Sequence, residues 1–209
     1  MNEQDLLANL LYATSYGRQG EEMAHRLIRH FGSLKHVLGS DKAALTRLGL
    51  SEAQAALLLA VHPVARRCAL AALDSSPDLS DPRTLREYVR ALFIGACNER
   101  FIVISLDRKG RLMDARTVSE GTMREIPLLP RTLLSCVMRS DAASVIFTHN
   151  HPGGQARFSS ADIRSTRIFA NYLRSTGIAL WDHVLYADGE IVSMRQTCRV
   201  PEIFAEPPR

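Results

Sequence analysis

The stretch Phe147–Thr166, FTHNHPGGQARFSSADIRST, directs the interpretation of the whole 209-residue chain. It places His149 and His151 one residue apart, directly after an apolar run. In extended backbone, side chains at i and i+2 leave the same face, so both imidazoles can converge on one ion. Ser159 and Asp162 follow where we predict a helix start, and Asp162 can supply a third ligand. Two imidazoles and a carboxylate are a credible ligand set for a catalytic zinc ion, with the fourth position left to water.

Strands and helices alternate around this stretch. The apolar run 143–148, ASVIFT, predicts a buried strand that leads into His149. A helix is predicted for about 160–175, because its apolar residues recur at helical spacing. Two strands are predicted at 101–106 and 112–118, and another at 179–186. This order indicates an α/β fold.

The N-terminal part has a different pattern. Leucines at helical spacing predict an all-helical domain over residues 1–74, in which Pro63 is expected to end or kink a helix at His62. Residues 75–82 are rich in serine, aspartate and proline and predict a linker. We therefore expect an α/β metal-binding domain over residues 83–200, followed by a loose C-terminal tail, 201–209.

Composition excludes several classes of protein. The net charge is +4 and the pI about 9.1, which is too mild for a dedicated nucleic-acid protein. None of the four cysteines forms a C-x-x-C pair, so neither a zinc ribbon nor a disulfide framework is expected, and we predict buried free thiols. The N-terminus lacks a signal-peptide pattern, and no apolar run approaches the roughly 20 residues that span a bilayer. We expect a cytoplasmic protein without membrane contact.

Two short motifs have alternative interpretations. The segment 48–55, LGLSEAQA, resembles a helix-hairpin-helix, whose glycine turn presents backbone N–H groups to a DNA phosphate. Ser51 replaces its second glycine, so the motif is degenerate. Ser51 is then either part of a weak, non-specific DNA-binding turn or simply the N-cap of a packed helix, which we favour. In the same way, Ser159 with Asp162 is nearly a capping box, and Ser159 can also direct its hydroxyl at a reacting group.

The full pattern H-x-H-P-x(6)-S-x-x-D resembles the JAMM motif of the JAB/MPN metalloprotease family, and fits its bacterial RadC-like branch best. The segments GTMREIPLLPR (121–131) and GIALWDHVLY (177–186) also resemble that branch, as does the position of the degenerate hairpin, so the likeness covers nearly the whole chain. Phe158 stands where the branch usually has proline, and Gly153 where it usually has serine. Neither residue is a ligand.

The resemblance implies a cytidine-deaminase-like (JAB/MPN) α/β sandwich behind the small helical domain. It also implies that zinc (Zn²⁺) is bound by His149, His151 and Asp162, and that the substrate is a protein or peptide whose peptide or isopeptide bond is hydrolysed. Ser159 would stabilise the oxyanion. An upstream glutamate would be the general base. Glu99 matches its position best.

Several alternatives remain at this point. Glu120 is the second candidate for the base, and Glu125 a further one. His183 is expected to be a packed strand residue or a hydrogen-bond partner of a ligand. The main alternative function is a non-catalytic, DNA-associated accessory protein with a structural or vestigial metal site. A nucleoside deaminase is disfavoured because C-x-x-C is absent, and a thermolysin-like protease because H-E-x-x-H is absent.

Overall fold

The computed structural model of the chain describes residues 1–12, 19–121, 130–138, 141–198 and 200–204. It divides into two compact units, Met1–Ala69 and Leu70–Arg209. The first unit is helical, and the second contains the sheet on which the candidate site lies. The predicted base candidate Glu125 and most of the segment 121–131 lie outside the described residues.

The N-terminal part is helical throughout its described residues, as the leucine spacing predicted. Its helices are α1 (Glu3–Tyr12), α2 (Gln19–Phe31), α3 (Leu34–Leu38), α4 (Lys42–Arg47) and α5 (Glu52–Ala71). A core of buried leucines that includes Leu7, Leu27 and Leu58 holds them together. Pro63 lies inside α5, so the helix does not end at His62. Proline lacks only the one N–H that would bond to the Leu59 carbonyl, and the helix continues beyond it.

The second unit is built on a five-stranded mixed sheet. Its strands are β1 (Arg100–Leu106), β2 (Leu112–Glu120), β3 (Ser144–Asn150), β4 (Ala179–Ala187) and β5 (Glu190–Ser193), in the order β2-β1-β3-β4-β5. Its described helices are α6 (Pro82–Leu92), α7 (Pro130–Met138), α8 (Ser160–Ser175) and α9 (Met194–Thr197), with a 3₁₀ turn at Pro201–Ile203. β3 and β4 run parallel and the other pairs antiparallel, so the predicted α/β class is confirmed.

Alternation along β1 divides the core between the two faces of the sheet. Ile102 and Ile104 pack on the face covered by α6, whose Leu85 and Val89 are buried there. Phe101 and Val103 pack on the opposite face, together with buried residues of α7 and α8. The sheet is therefore covered on both sides, and polar groups inside it must find partners within the protein.

β3 is the central strand, and all seven of its residues are buried. It pairs with β1 on one side and with β4 on the other, and α8 provides the crossover to β4. His149 and Asn150 are its last two residues, so the strand is longer than the predicted 143–148. In open α/β sheets, ligands bind beyond the carboxyl ends of the parallel strands, and this is where the histidines lie.

The predicted linker and the predicted loose tail each contribute a residue to the core of the second unit. Within the predicted linker 75–82, Leu79 is fully buried and its N–H donates to the Gly110 carbonyl at 2.9 Å. Asp81 caps α6 by accepting from the Thr84 N–H. In the tail, Ile203 is buried in the α8 face of the core, while 205–209 lie outside the described residues.

Two further sequence expectations can be compared with the structure. All four cysteines are free, but Cys68 is exposed and Cys97, Cys136 and Cys198 are partly exposed, so the predicted burial of the thiols is wrong. No helix among the described residues is long and apolar enough to cross a membrane.

Gly110 provides a test of the contact between the predicted linker and the sheet. Its φ is +77°, and a Cβ added there would lie 2.8 Å from the Ser80 Cβ. Gly177 has the same φ but no atom within 4 Å of an added Cβ. We expect Gly177→Ala to lower the free energy of unfolding by about 1 kcal/mol through backbone strain alone. Gly110→Ala should lower it by about 2–4 kcal/mol, because steric overlap is added. Urea denaturation measures both, and equal losses would contradict the contact.

Candidate metal centre

The two histidines of the central stretch meet at the carboxyl end of β3. The Nε2 atoms of His149 and His151 lie 3.1 Å apart. His151 follows the strand, and its backbone N–H donates to the Tyr186 carbonyl on β4 at 2.9 Å, which continues the sheet pairing by one residue. Its Nδ1 lies 3.3 Å from the Gln155 carbonyl oxygen. The extended backbone thus directs both rings to one point, as the i, i+2 spacing predicted.

The spacing of these nitrogens fits a metal ion. A carbonyl oxygen can only accept, so His151 donates through Nδ1–H, and the neutral form of this tautomer has a lone pair on Nε2. Two nitrogens bound to one tetrahedral zinc ion at about 2.0–2.1 Å would be about 3.3 Å apart. The observed 3.1 Å is close to this value. The donor set therefore fits zinc in chemistry and in spacing.

Asp162 approaches both imidazoles from the first turn of α8. Its Oδ1 is 3.7 Å from His149 Nε2, and its Oδ2 is 3.8 Å from His151 Nε2. The predicted capping box is present: the Ser159 N–H donates to Asp162 Oδ2 at 2.6 Å, and the Asp162 N–H donates to Ser159 Oγ at 3.1 Å. The cap fixes the carboxylate at the helix start. The structure brings together all three residues that the sequence proposed as ligands.

Glu99 approaches His151 from the position immediately before β1. Its Oε1 is 3.9 Å from His151 Nε2, and one ligand atom from each of Glu99, His149 and His151 fits within a 4.8 Å group that could hold a metal. Glu99 is thus close enough to be either a ligand or a base. The competing Glu120 is at the end of β2, where its Oε1 accepts two hydrogen bonds from the Arg100 guanidinium at 3.0 and 2.8 Å.

The inner side of the site is buried. His149 is fully buried, and Phe158 packs against it with ring centroids 5.8 Å apart. Burial lowers the pKa of His149 to about 4; Asp162 opposes this shift and His151 adds to it. Burial also lowers the pKa of His183, behind His149, well below its ordinary value. Neutral imidazoles are the form that binds metals, so burial favours the required protonation state. Phe158, which departs from the usual motif, contributes to this burial.

The outer side is open through two clefts that meet at His151. One has a volume of about 470 Å³ and extends along Gln155 and Phe158 to Ser159 and Ser160. The other, of about 360 Å³, is lined by residues that include Glu99 and Gly121. Ser159 and Glu99 therefore border opposite clefts. Accepting the cap bond from Asp162 leaves the proton of the Ser159 hydroxyl for another acceptor.

Comparison with known proteins agrees with this geometry. The family model described as RadC-like JAB domain matches residues 79–199. The chain belongs to the RadC-like JAB domain family. UPF0758 proteins are similar over nearly their full length: that of Azotobacter vinelandii is 34% identical over 197 residues, covering 94% of this chain and 88% of the relative. That of Bordetella pertussis is 35% identical over 195 residues, covering 93% and 87%. The predicted JAB-type fold is thereby confirmed.

Within the RadC-like domain, Asn150 has a role that the sequence did not indicate. This residue, between the two histidines, is 2% exposed. Its Nδ2 donates to the Asn98 carbonyl at 3.0 Å, and its Oδ1 accepts from the Arg100 N–H at 2.8 Å. The two bonds bracket Glu99 on both sides. One side chain of β3 thus fixes the backbone from which Glu99 reaches His151. The pairing of β1 with β3 creates this contact, so the local sequence carries no signal for it.

The turn before α5 shows how the degenerate hairpin is used in this structure. The Ser51 N–H donates to Gln54 Oε1 at 2.9 Å, and the Gln54 N–H donates to Ser51 Oγ at 3.2 Å, which is a capping box. Glu52 in the first turn is paired with Lys42 at 2.9 Å. The Ser51 N–H, which a phosphate would need, is thus already bonded to the Gln54 side chain. The acidic first turn of α5 also repels an anion. These contacts favour the N-cap interpretation.

Asn150→Asp tests the bracket around Glu99 with an isosteric change. The new carboxylate can still accept from Arg100 but places an oxygen against the Asn98 carbonyl. We expect the free energy of unfolding to fall by about 2–4 kcal/mol, because a buried acceptor loses its donor and faces a charge. Urea denaturation at neutral pH measures this loss. Asn171→Asp makes the same chemical change on the exposed face of α8 and should cost at most about 0.5 kcal/mol. A similar small loss in both variants would contradict the bracket.

Proposed function

We propose that this chain is a zinc-dependent hydrolase of peptide or isopeptide bonds. The observation that carries the proposal is the convergence of two imidazole Nε2 atoms, 3.1 Å apart, with the Asp162 and Glu99 carboxylates each within 4 Å of one of them. Membership of the RadC-like JAB domain family supports it. A peptidase of this type needs a metal site, a base and access for the substrate, and these residues can supply all three.

In this proposal His149, His151 and Asp162 bind the zinc ion. The ion supplies Lewis acidity, which makes water a nucleophile near neutral pH. Asp162 suits the role of ligand because it is 4% exposed and held by the cap of α8. Glu99 suits the role of base because it borders an open cleft, where water and substrate can reach it. Glu99 would accept the proton of the attacking water and pass it to the leaving amine.

The two clefts suggest how a substrate binds. A chain that lies across His151 would contact the Glu99 cleft on one side and the Ser159 cleft on the other. Glu99 would then face the attacking water and the leaving amine, and the Ser159 hydroxyl would donate to the oxygen of the scissile carbonyl. The proposed substrate is accordingly a protein or peptide segment in extended conformation.

Metal analysis tests which carboxylate is the ligand. Protein purified without a histidine tag should contain about one zinc per chain, and His149→Ala should lose it. Asp162→Asn should lower zinc affinity by more than about 100-fold. Loss of a residue that only supports a ligand lowers the affinity by at most about 100-fold. Glu99→Gln, the matched removal of a carboxylate charge, should change it by less than about 10-fold. Competition with a chromophoric chelator measures both. The opposite order would make Glu99 the ligand, and absence of zinc from the wild type would refute the metal site.

Hydrolysis tests the base. Quenched-fluorescence libraries of peptides and of lysine-linked isopeptides provide substrates without assuming a sequence. Glu99→Gln should lower kcat by about 10²–10⁴-fold while zinc remains bound, because a general base contributes about that much. Glu120→Gln, which removes the ion pair with Arg100, should keep kcat within about 3-fold. Activity that survives in Glu99→Gln would exclude Glu99 as the base. Bound zinc without hydrolysis in the wild type would favour the alternative, an accessory protein with a structural metal.

A further inference from the structure

Behind His149, a chain of three polar side chains crosses the core of the second unit. His149 Nδ1 lies 2.7 Å from His183 Nε2, and His183 Nδ1 lies 2.6 Å from Thr166 Oγ1. The three residues come from β3, β4 and α8 and are at most 1% exposed. Buried polar groups at these distances are hydrogen-bonded, so each bond has a donor and an acceptor that can be assigned.

Thr166 determines the direction of the first bond. Its Oγ1 lies 2.6 Å from the Asp162 carbonyl oxygen, which can only accept. A hydroxyl has one proton, so Thr166 donates to Asp162. The remaining contact, with His183, must then be one in which Thr166 accepts. His183 therefore carries a proton on Nδ1.

The surroundings of His183 determine the next bond. The rings of Phe101, Phe147 and Phe158 pack against it, with centroids 5.7, 5.9 and 5.2 Å away. Moving an imidazolium from water into this apolar enclosure is unfavourable. A neutral His183 with its proton on Nδ1 has a lone pair on Nε2, so it accepts from His149. His149 then carries its proton on Nδ1 and a lone pair on Nε2.

We propose that Thr166 and His183 are positioning residues, which fix the ring tautomer of His149 so that its Nε2 presents a lone pair to the metal. The inference rests on the proposed function of this site, and it adds that metal affinity is set in part by a hydroxyl with no direct contact to the metal. Reversed bonds would place a proton on His149 Nε2, where it would exclude a cation. The direction of the bonds follows from a single backbone contact, that of Thr166 with Asp162.

The tautomers can be read directly from the metal-free protein. Nitrogen-15 NMR of protein labelled at histidine distinguishes a protonated ring nitrogen from an unprotonated one. We expect His149 and His183 each to carry the proton on Nδ1 at neutral pH. A proton on His149 Nε2 would overturn the inference. This result does not depend on zinc or on hydrolysis. It therefore separates failure of the proposed tautomers from failure of the proposed function.

Matched variants test the effect on metal affinity. Thr166→Val removes the hydroxyl and Thr166→Ser keeps it. His183→Phe removes the acceptor within an aromatic cluster that suits the new ring, and His183→Gln offers a carbonyl oxygen in its place. We expect zinc affinity to fall about 10–100-fold in Thr166→Val and in His183→Phe. It should stay within about 3-fold of the wild type in Thr166→Ser and in His183→Gln. Chelator competition measures the affinity.

His183→Phe serves as the decisive variant because it leaves the bond from Thr166 to Asp162 intact. If Thr166→Val lowers zinc affinity and His183→Phe does not, the hydroxyl acts through Asp162 alone. The proposed role of His183 is then refuted. Thermal melts of each pair establish that its members are equally folded. If Thr166→Val and His183→Phe both bind zinc as tightly as the wild type while folded, the inference is also refuted.

Discussion

The Nε2 atoms of His149 and His151 are held 3.1 Å apart, and the assigned tautomers leave a lone pair on both atoms when the rings are neutral. Two lone pairs at this distance repel each other unless a cation or a proton lies between them. The rings cannot separate easily, because His149 lies near the end of a fully buried strand and the His151 backbone bonds to β4. The sheet therefore holds the two nitrogens at a distance that suits one metal ion. Rigid support of this kind is what a metal site requires of the surrounding fold.

The position of β3 explains why so many parts of the second unit meet at this point. A central strand has two neighbours, and each supplies one supporting contact. Asn150 reaches β1 and brackets Glu99, while His149 reaches His183 on β4. The crossover helix α8 then returns to the same end of the sheet and places Asp162 beside the imidazoles. The two carboxylates thus arrive from different elements, Glu99 from the residue before β1 and Asp162 from the start of α8.

The sequence predicted the centre of the site and His183 as a possible hydrogen-bond partner of a ligand, but not the contacts of Asn150 and Thr166. The pattern from His149 to Asp162 is local, because an i, i+2 pair after a strand and a helix cap follow from nearest-neighbour geometry. The roles of Asn150, Thr166 and His183 depend on strand order and register, which join residues 34 or more positions apart in the bonds from β3. Two residues that anchor the chain were not apparent from composition for a similar reason. The polar stretch around Leu79 and the end of the chain at Ile203 each bury one apolar residue in the core, and a single such anchor does not change the average composition.

The same local motif occurs at the starts of α5 and α8, and the comparison explains why a capping box can also belong to a site. Ser51 with Gln54 and Ser159 with Asp162 each exchange two hydrogen bonds at a helix start. At the first, an amide offers one oxygen, and the cap uses it. At the second, a carboxylate offers two oxygens with about four acceptor positions. The cap uses Oδ2, and Oδ1 remains directed at His149 from 3.7 Å. The cap and the metal ligand are therefore compatible roles of one aspartate, because the cap supplies the rigidity that a ligand requires.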